Sequence, residues 1–244
     1  MIFLFPKREI VLDCFIAEEA IAKRAPIEKS MKYIPDWWKE LPKEYYIGNN
    51  FFPSPTMKHC AGMVDYYRNS VTIPLWSDLA LRGFAGGGCD WQFADGNSRI
   101  ESHPVEQRAN FLSNGNYTHV KLLNPWQLRT DESIKWVWSQ PTYNFVDPEH
   151  FFVLPGSLDF SKQHQAHINL MLNVTVEKQL LIKLGQPMVH ITPMSDRKVK
   201  VVRHVIPKAE YEHMFILRPS KFINSYNVAN KLASKFSTCP FKKG

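Results

Sequence analysis

The chain has 244 residues, of which 44% are hydrophobic and 13% aromatic, and it carries a net charge of +7. That is enough apolar material to bury a full core, and all-β domains of this length often form a single unit. Three classes are not expected: no apolar run approaches the roughly 20 residues of a membrane helix, residues 1–6 lack the charged n-region of a signal peptide, and Cys14, Cys60, Cys89 and Cys239 form neither a CxxC pair nor a disulfide framework.

The cysteines are therefore expected as reduced thiols in a cytosolic setting, where the glycosylation sequons at Asn116 and Asn173 carry no meaning. An isoelectric point near 9.2 suits a polyanionic partner. The basic residues are spread along the chain rather than gathered in a block, so nucleic acid is not the expected partner. Arg197, Lys198, Lys200 and Arg203 alternate with valines and read as an edge strand whose lysines discourage sheet-to-sheet pairing.

In chain order, residues 10–16 read as a first strand, and residues 18–23 and 28–33 as short helical turns limited by Pro26 and Pro35. Trp37, Trp38, Tyr45, Tyr46, Phe51 and Phe52 crowd a proline-rich loop. The structural reading is a lid over the domain's own core, and this is the expectation; the functional one is an exposed surface on which a partner or a base stacks. Residues 64–81 read as a strand interrupted near Pro74. The glycines between Gly83 and Asp90 lack the Lys and Ser/Thr of a phosphate loop, so they read as a hairpin turn, with Asp95 and Gly96 making a second turn. Residues 101–111 are polar and mixed and read as a connection. Residues 118–123 alternate as a strand, and 126–130 and 134–138 read as a hairpin about Asp131, Glu132 and Ser133, with Trp136 and Trp138 on one face. From 153 to 194 come three short apolar runs closed by Gly, Pro, Asn or Asp, read as consecutive strands with tight connections. Tyr211, Met214, Phe215 and Leu217 suit one helical face, and Ser220 suits the N-cap of a further helix over 221–236. The expected division is an N-terminal extension with an aromatic loop over 1–60, a β domain over 61–206 and a helical segment over 207–244.

The order strand, turn, strand, Pro141, loop, Gly156, Ser157, Leu158, Asp159, long strand, Gly185 turn and strand resembles the all-β trimeric dUTPase and dCTP deaminase superfamily over residues 118–194. Residues 139–143 stand where that superfamily has a proline-containing turn, and residues 156–159 match its Gly-x-Ile-Asp motif. The resemblance implies a mainly β fold, a distorted sandwich or jelly-roll-like β-clip, with short helices at the N-terminal end and helices at the C-terminal end. It implies Asp159 as the catalytic carboxylate that orients water if the chain is an enzyme, and Arg129, Tyr143, Lys162 and Arg197 as ligand-binding residues. Mg²⁺ is implied only for a nucleotide hydrolase, and a homo-oligomer, a trimer as in that superfamily, is the implied assembly. The sequence departs from the pattern in four places. Phe160, Ser161 and Lys162 follow Asp159 where a stacking Tyr belongs, and Thr142, Tyr143 and Asn144 follow Pro141 where a phosphate-gripping Arg-Ser-Gly belongs. A glycine-rich closing arm is missing, and residues 168–173 hold no acidic proton shuttle. Asn124, Pro125 and Trp126 before a hairpin, with Gly185 and Pro187 before the last strand, are similar to uncharacterised proteins of tailed phages of marine bacteria.

No His is followed two residues later by a carboxylate, and His164 and His167 alternate to opposite faces of a strand, so no metal site is expected. No Gly-x-Ser-x-Gly elbow is present. Asp159 has a plain alternative role, capping the turn that follows residue 156 through backbone amides. The expectation is a non-enzymatic phage protein, structural or host-interacting, in the host cytoplasm or the virion, partnered by a phage assembly or a host protein and not by a membrane. The alternative is a divergent deoxynucleotide hydrolase or deaminase.

Overall fold

The computed structural model describes residues 8–48, 51–84, 88–103, 111–112, 116–144, 149–175 and 179–216. The chain opens with β1 (Ile10–Ile16), where Ile10, Leu12, Cys14 and Ile16 are buried while Val11 is exposed, the period of two that a half-buried strand requires. Then follow α1 (Glu19–Arg24), β2 (Glu28–Lys29), a 3₁₀ turn (Ser30–Tyr33), α2 (Asp36–Glu40), the short strands β3 (Glu44–Tyr45) and β4 (Ser54–Pro55), and α3 (Ala61–Asn69). The strands β5 (Val71–Pro74), β6 (Leu79–Gly83), β7 (Cys89–Phe93), β8 (Ile100–His103), β9 (Tyr117–Leu122) and β10 (Gln127–Arg129) lead into the second half. There the order is β11 (Lys135–Ser139), β12 (Phe151–Val153), β13 (Gly156–Asp159), β14 (Ile168–Asn173), β15 (Leu180–Ile182), β16 (Pro187–Pro193) and β17 (Val199–Val205), closed by α4 (Lys208–Tyr211).

The fold is mainly β and sandwich-like. A five-stranded sheet, β13-β11-β16-β5-β2, and a four-stranded sheet, β12-β14-β9-β8, are joined by the three-stranded sheets β10-β1-β17 and β15-β6-β7. Neighbours run antiparallel throughout, except β1 and β17, which pair in parallel from Ile10 with Val199 to Ile16 with Val205. One core gathers Leu12, Ile73, Leu79, Val120, Trp136, Ile168, Leu170, Val189 and Ile191 from all four of these sheets. β17 lies at a sheet edge as expected, with Lys200 exposed; Arg203, expected on the face opposite Lys200, is exposed as well.

Four expectations are corrected. Residues 61–69 are helical rather than extended, because Met63 and Tyr67, one turn apart, bury themselves with Trp38 against the outer face of the five-stranded sheet. Residues 100–103 form β8, paired with β9 from Ile100 with Leu122 to His103 with His119, rather than a connection. The strands flanking Asp131 do not form a hairpin. β10 pairs with β1, and β11 pairs with β13 and β16, so the turn is a corner between sheets, with Trp136 and Trp138 both buried on the core side as expected. The apolar runs after residue 153 are strands, but β14, β15 and β16 enter three different sheets instead of following one another in one. The hairpin about the glycines does form, Gly83 pairing with Cys89; a Cβ at Gly83 would meet Val174 Cγ1 at 2.7 Å, so only glycine allows that approach. Residues 208–216 are helical, α4 running on into a wider π turn that buries Phe215; the helix expected over 221–236 lies outside the described residues.

β16 is the middle strand of the five-stranded sheet and is buried on both faces. Val189 and Ile191 join the core, while His190 faces α3, with ring centroids 4.9 Å from Tyr66 and 5.3 Å from Tyr67. Neither imidazole nitrogen has a hydrogen-bond partner among the described residues. Burial holds the His190 pKa down at about 3, against an ordinary 6.5. An unfolded chain therefore takes up a proton at this position below pH 6.5 that the folded chain refuses until about pH 3. Stability is lost through that window as the pH falls, at up to about 1.4 kcal/mol per pH unit. His190→Leu is expected to keep or raise stability at pH 7, since two unpaired polar atoms leave the interior. It should also flatten the acid limb between pH 6.5 and 3. Urea unfolding at stepped pH checks both, and parallel acid limbs for the two proteins would show that His190 is not the group responsible.

Candidate functional site

Asp159 ends β13 and is 2% exposed. One carboxylate oxygen accepts the Ser133 hydroxyl at 2.5 Å and faces Lys162 Nζ at 3.1 Å; the other accepts the Ser161 amide at 3.0 Å and the Ser161 hydroxyl at 2.6 Å. Burial works to raise the pKa of this carboxyl, but the bonds from Ser133, Ser161 and Lys162 outweigh it and hold the group below its ordinary 3.8. The Asp159 backbone carbonyl also accepts the amides of Lys162 and Gln163. Both oxygens are occupied by the turn that follows β13 and by the corner before β11. This is the geometry of a turn cap, and it leaves no lone pair directed at a bound water.

Of the other expected residues, only Lys162 meets Asp159. Arg197 forms a two-pronged pair with Glu132 at 2.6 and 2.7 Å, fastening the start of β17 to the corner. Arg129 lies over the Phe15 ring, its Cζ 5.0 Å from the centroid. Tyr143 sits beyond the far end of β11. Its carbonyl accepts the Trp37 indole at 3.0 Å, and its ring lies 6.0 Å from that of Tyr66. The five residues do not converge on one cavity. His164 and His167 also stay apart: His164 Nδ1 contacts the Leu128 carbonyl at 3.0 Å, and His167 borders a cavity between sheets. Among the described residues, no group of three or more His, Cys, Asp and Glu side chains is placed to hold a metal ion. No helix there is long and apolar enough to cross a membrane.

A cavity of about 850 Å³ is an open groove between α1 and the turns before β6 and β8. Three of the charged side chains that line it serve local structure. Asp78 accepts the Leu184 amide at 2.7 Å, Asp95 accepts the amides of Asn97 and Ser98 at 3.0 Å, and Arg99 donates to the carbonyls of Gly96 and Ser98.

The aromatic loop divides between both of its readings. Trp38 is 6% exposed, stacks on Tyr67 at 5.9 Å and donates its indole to the Met57 carbonyl at 3.3 Å. This half covers the sheet, as expected. Beyond it, β3 and β4 pair into a small hairpin whose base is tied down. The Thr56 amide donates to the Lys43 carbonyl at 3.0 Å, and Lys58 Nζ reaches the carbonyls of Lys39 at 2.7 Å and Leu41 at 2.9 Å. On this anchored base, Phe51 is 95% exposed and Phe52 83%, and Tyr45, Tyr46, Ile47 and Met57 are exposed beside them. The residue types in the loop were visible in the sequence, but which of them are buried was not, because that depends on α3.

Asp159→Ala is expected to lower stability by about 2–4 kcal/mol, leaving the Ser161 amide and the Ser133 hydroxyl without their acceptor. Asp159→Asn, which keeps an acceptor, should lose less. Because the folded pKa is lowered, the carboxylate's contribution is present above pH 3.8 and fades as the pH falls through the lower folded value. Urea unfolding of the three proteins at pH 7 and pH 3 checks this, and equal stabilities at pH 7 would refute the capping role. No protein-family model matches the chain, and no curated protein matches it.

Proposed function

We propose that the chain is a non-enzymatic binding protein, structural or host-interacting, whose contact surface is the β3–β4 hairpin. The observation that carries this reading is the exposure of Phe51, Phe52, Tyr46 and Ile47 on a base held by main-chain hydrogen bonds. Apolar rings left in water cost free energy in the isolated chain, at about 25 cal/mol for each Å² that a partner covers. An anchored hairpin presents them with little further loss of conformational freedom on binding. Aromatic residues clustered in this way are what interface cores are enriched in.

The competing reading, a divergent deoxynucleotide hydrolase or deaminase, requires a carboxylate free to activate water and cations gathered for phosphate. Against it stand the full hydrogen-bond complement of Asp159 and the dispersal of Arg129, Tyr143 and Arg197. A phage setting follows only from the resemblance carried by Asn124, Pro125, Trp126, Gly185 and Pro187. The partner is then a second copy, a virion component or a host protein.

The double variant Phe51→Ser/Phe52→Ser tests this reading. Both rings are almost wholly in solvent, so the unfolding midpoint should stay within about 0.5 kcal/mol of the parent. Self-association in sedimentation velocity, or retention by virion and host fractions, should fall by tenfold or more. Unchanged association in the variant would overturn the hairpin's role. Turnover of dUTP or dCTP by the purified protein, lost in Asp159→Asn, would overturn the non-enzymatic reading itself.

A further inference from the structure

A second cavity, about 310 Å³, lies where the chain crosses between the two large sheets, from β12 through Leu154 and Pro155 into β13. Its volume is at the small end of the roughly 300–1,000 Å³ usual for ligand pockets. One side is apolar, formed by Trp138, Leu154, Pro155 and Leu158; the other carries His119, His167 and Asn169. We propose that this cavity binds a small, flat, uncharged molecule bearing a carboxamide or lactam carbonyl.

Hydrogen-bond accounting on the polar side leads to this class. His119 Nε2 lies 3.2 Å from Asn169 Oδ1. An amide oxygen only accepts, so the imidazole donates and the two Asn169 amide hydrogens remain for something else. Nothing among the described residues accepts them. Nδ1 of His167 is shut off from solvent and has no partner there. An orphaned lone pair is better tolerated in a buried site than an orphaned N–H, so the proton sits on Nε2 and Nδ1 stands as an unpaired acceptor. The polar edge therefore offers the N–H donors of Asn169 together with the bare Nδ1 of His167, which suits the carbonyl oxygen and the N–H of an amide or lactam.

Charge narrows the class further. Burial and the neighbouring Lys121 keep His167 neutral down to a pKa of about 4, and Lys121 itself is paired with Glu101 at 2.7 Å. An anion entering the cavity would lose its hydration and find no unspent positive charge, whereas a neutral carbonyl compound loses little. The apolar wall accepts the faces of a ring. This site is separate from the aromatic hairpin and does not depend on it.

Nicotinamide and nicotinate share one ring and differ in amide against carboxylate, so they isolate the charge; 2-pyridone supplies the lactam. Saturation-transfer NMR on the full chain should show nicotinamide and 2-pyridone bound at millimolar concentration and nicotinate about tenfold weaker or undetectable. Asn169→Asp replaces the free donors with a charged acceptor and should abolish binding of both neutral probes, with the circular-dichroism melting curve confirming that the protein is folded. Gly156→Leu is the second variant. Gly156 is an exposed residue at the border of the cavity and a Cβ there meets nothing within 4 Å, so a leucine fits without a backbone clash and should also obstruct binding. Equal binding of nicotinate, no binding of any probe, or binding unchanged in both variants would each overturn the proposal.

Discussion

Everything on the outer side of the five-stranded sheet depends on the burial of β16 on both faces. A strand in the middle of a sheet has its main chain satisfied by β11 and β5, but Met188, Val189, His190 and Ile191 all need cover. The opposite sheet supplies it on one side. On the other, α3 lays Tyr66 and Tyr67 against His190, and Trp38 of α2 stacks outside Tyr67. Ser30 is drawn in as well, its hydroxyl accepting that of Thr72 at 2.8 Å. An imidazole with no hydrogen-bond partner is costly in such a place, and the aromatic faces around it are what makes the cost bearable. The helices near the amino terminus are thus a third layer over the sheet.

That layer explains why the aromatic hairpin is held rather than loose. Trp38 binds the Met57 carbonyl, Trp37 binds the Tyr143 carbonyl, and Lys58 gathers the carbonyls of Lys39 and Leu41. These bonds tie the α2 segment, whose Trp38 is buried with Met63 and Tyr67, to residues at the foot of β3 and β4 and to the loop beyond β11. Stabilising the sheet and presenting exposed rings are consequently done by one segment. Its inner half has the composition of a core and its outer half that of an interface.

Strands were legible where alternation or β-branching was strong: residues 10–16, 117–122 and 199–205 show it plainly. Partner choice was not legible, because pairing is non-local. Nothing in residues 126–138 tells that β10 turns to β1 while β11 turns to β13 and β16. α3 was hidden by its own composition. Gly62, Val64 and two tyrosines are indifferent helix formers, no side chain caps its first turn, and burial of Met63 and Tyr67 stabilises it instead. Asp159 was legible as a turn residue and, through a motif resemblance, as a candidate catalyst; only the positions of Ser133, Ser161 and Lys162 distinguish the two roles. Asn169 and His119 drew no notice because each sits among strand residues whose apolar neighbours set the pattern. The signal available was that such a residue needs a partner, and adjacent strands bring these two together.

The short strand β13 carries both features that the motif at residues 156–159 contains, and it separates them. Gly156, Ser157 and Leu158 border the intersheet cavity, while Asp159 turns into the corner at Ser133 and is consumed there. By the alternation of a strand Asp159 shares its face with Ser157, so what keeps its carboxylate out of the cavity is the turn, where Ser133, Ser161 and Lys162 hold both oxygens. The consequence is a scaffold in which the acidic residue holds the sheet's corner in place and the neighbouring backbone shapes a neutral recess. No Asp, Glu, Lys or Arg is among the residues that border the recess, so recognition there rests on shape and on the hydrogen bonds of His119, His167 and Asn169.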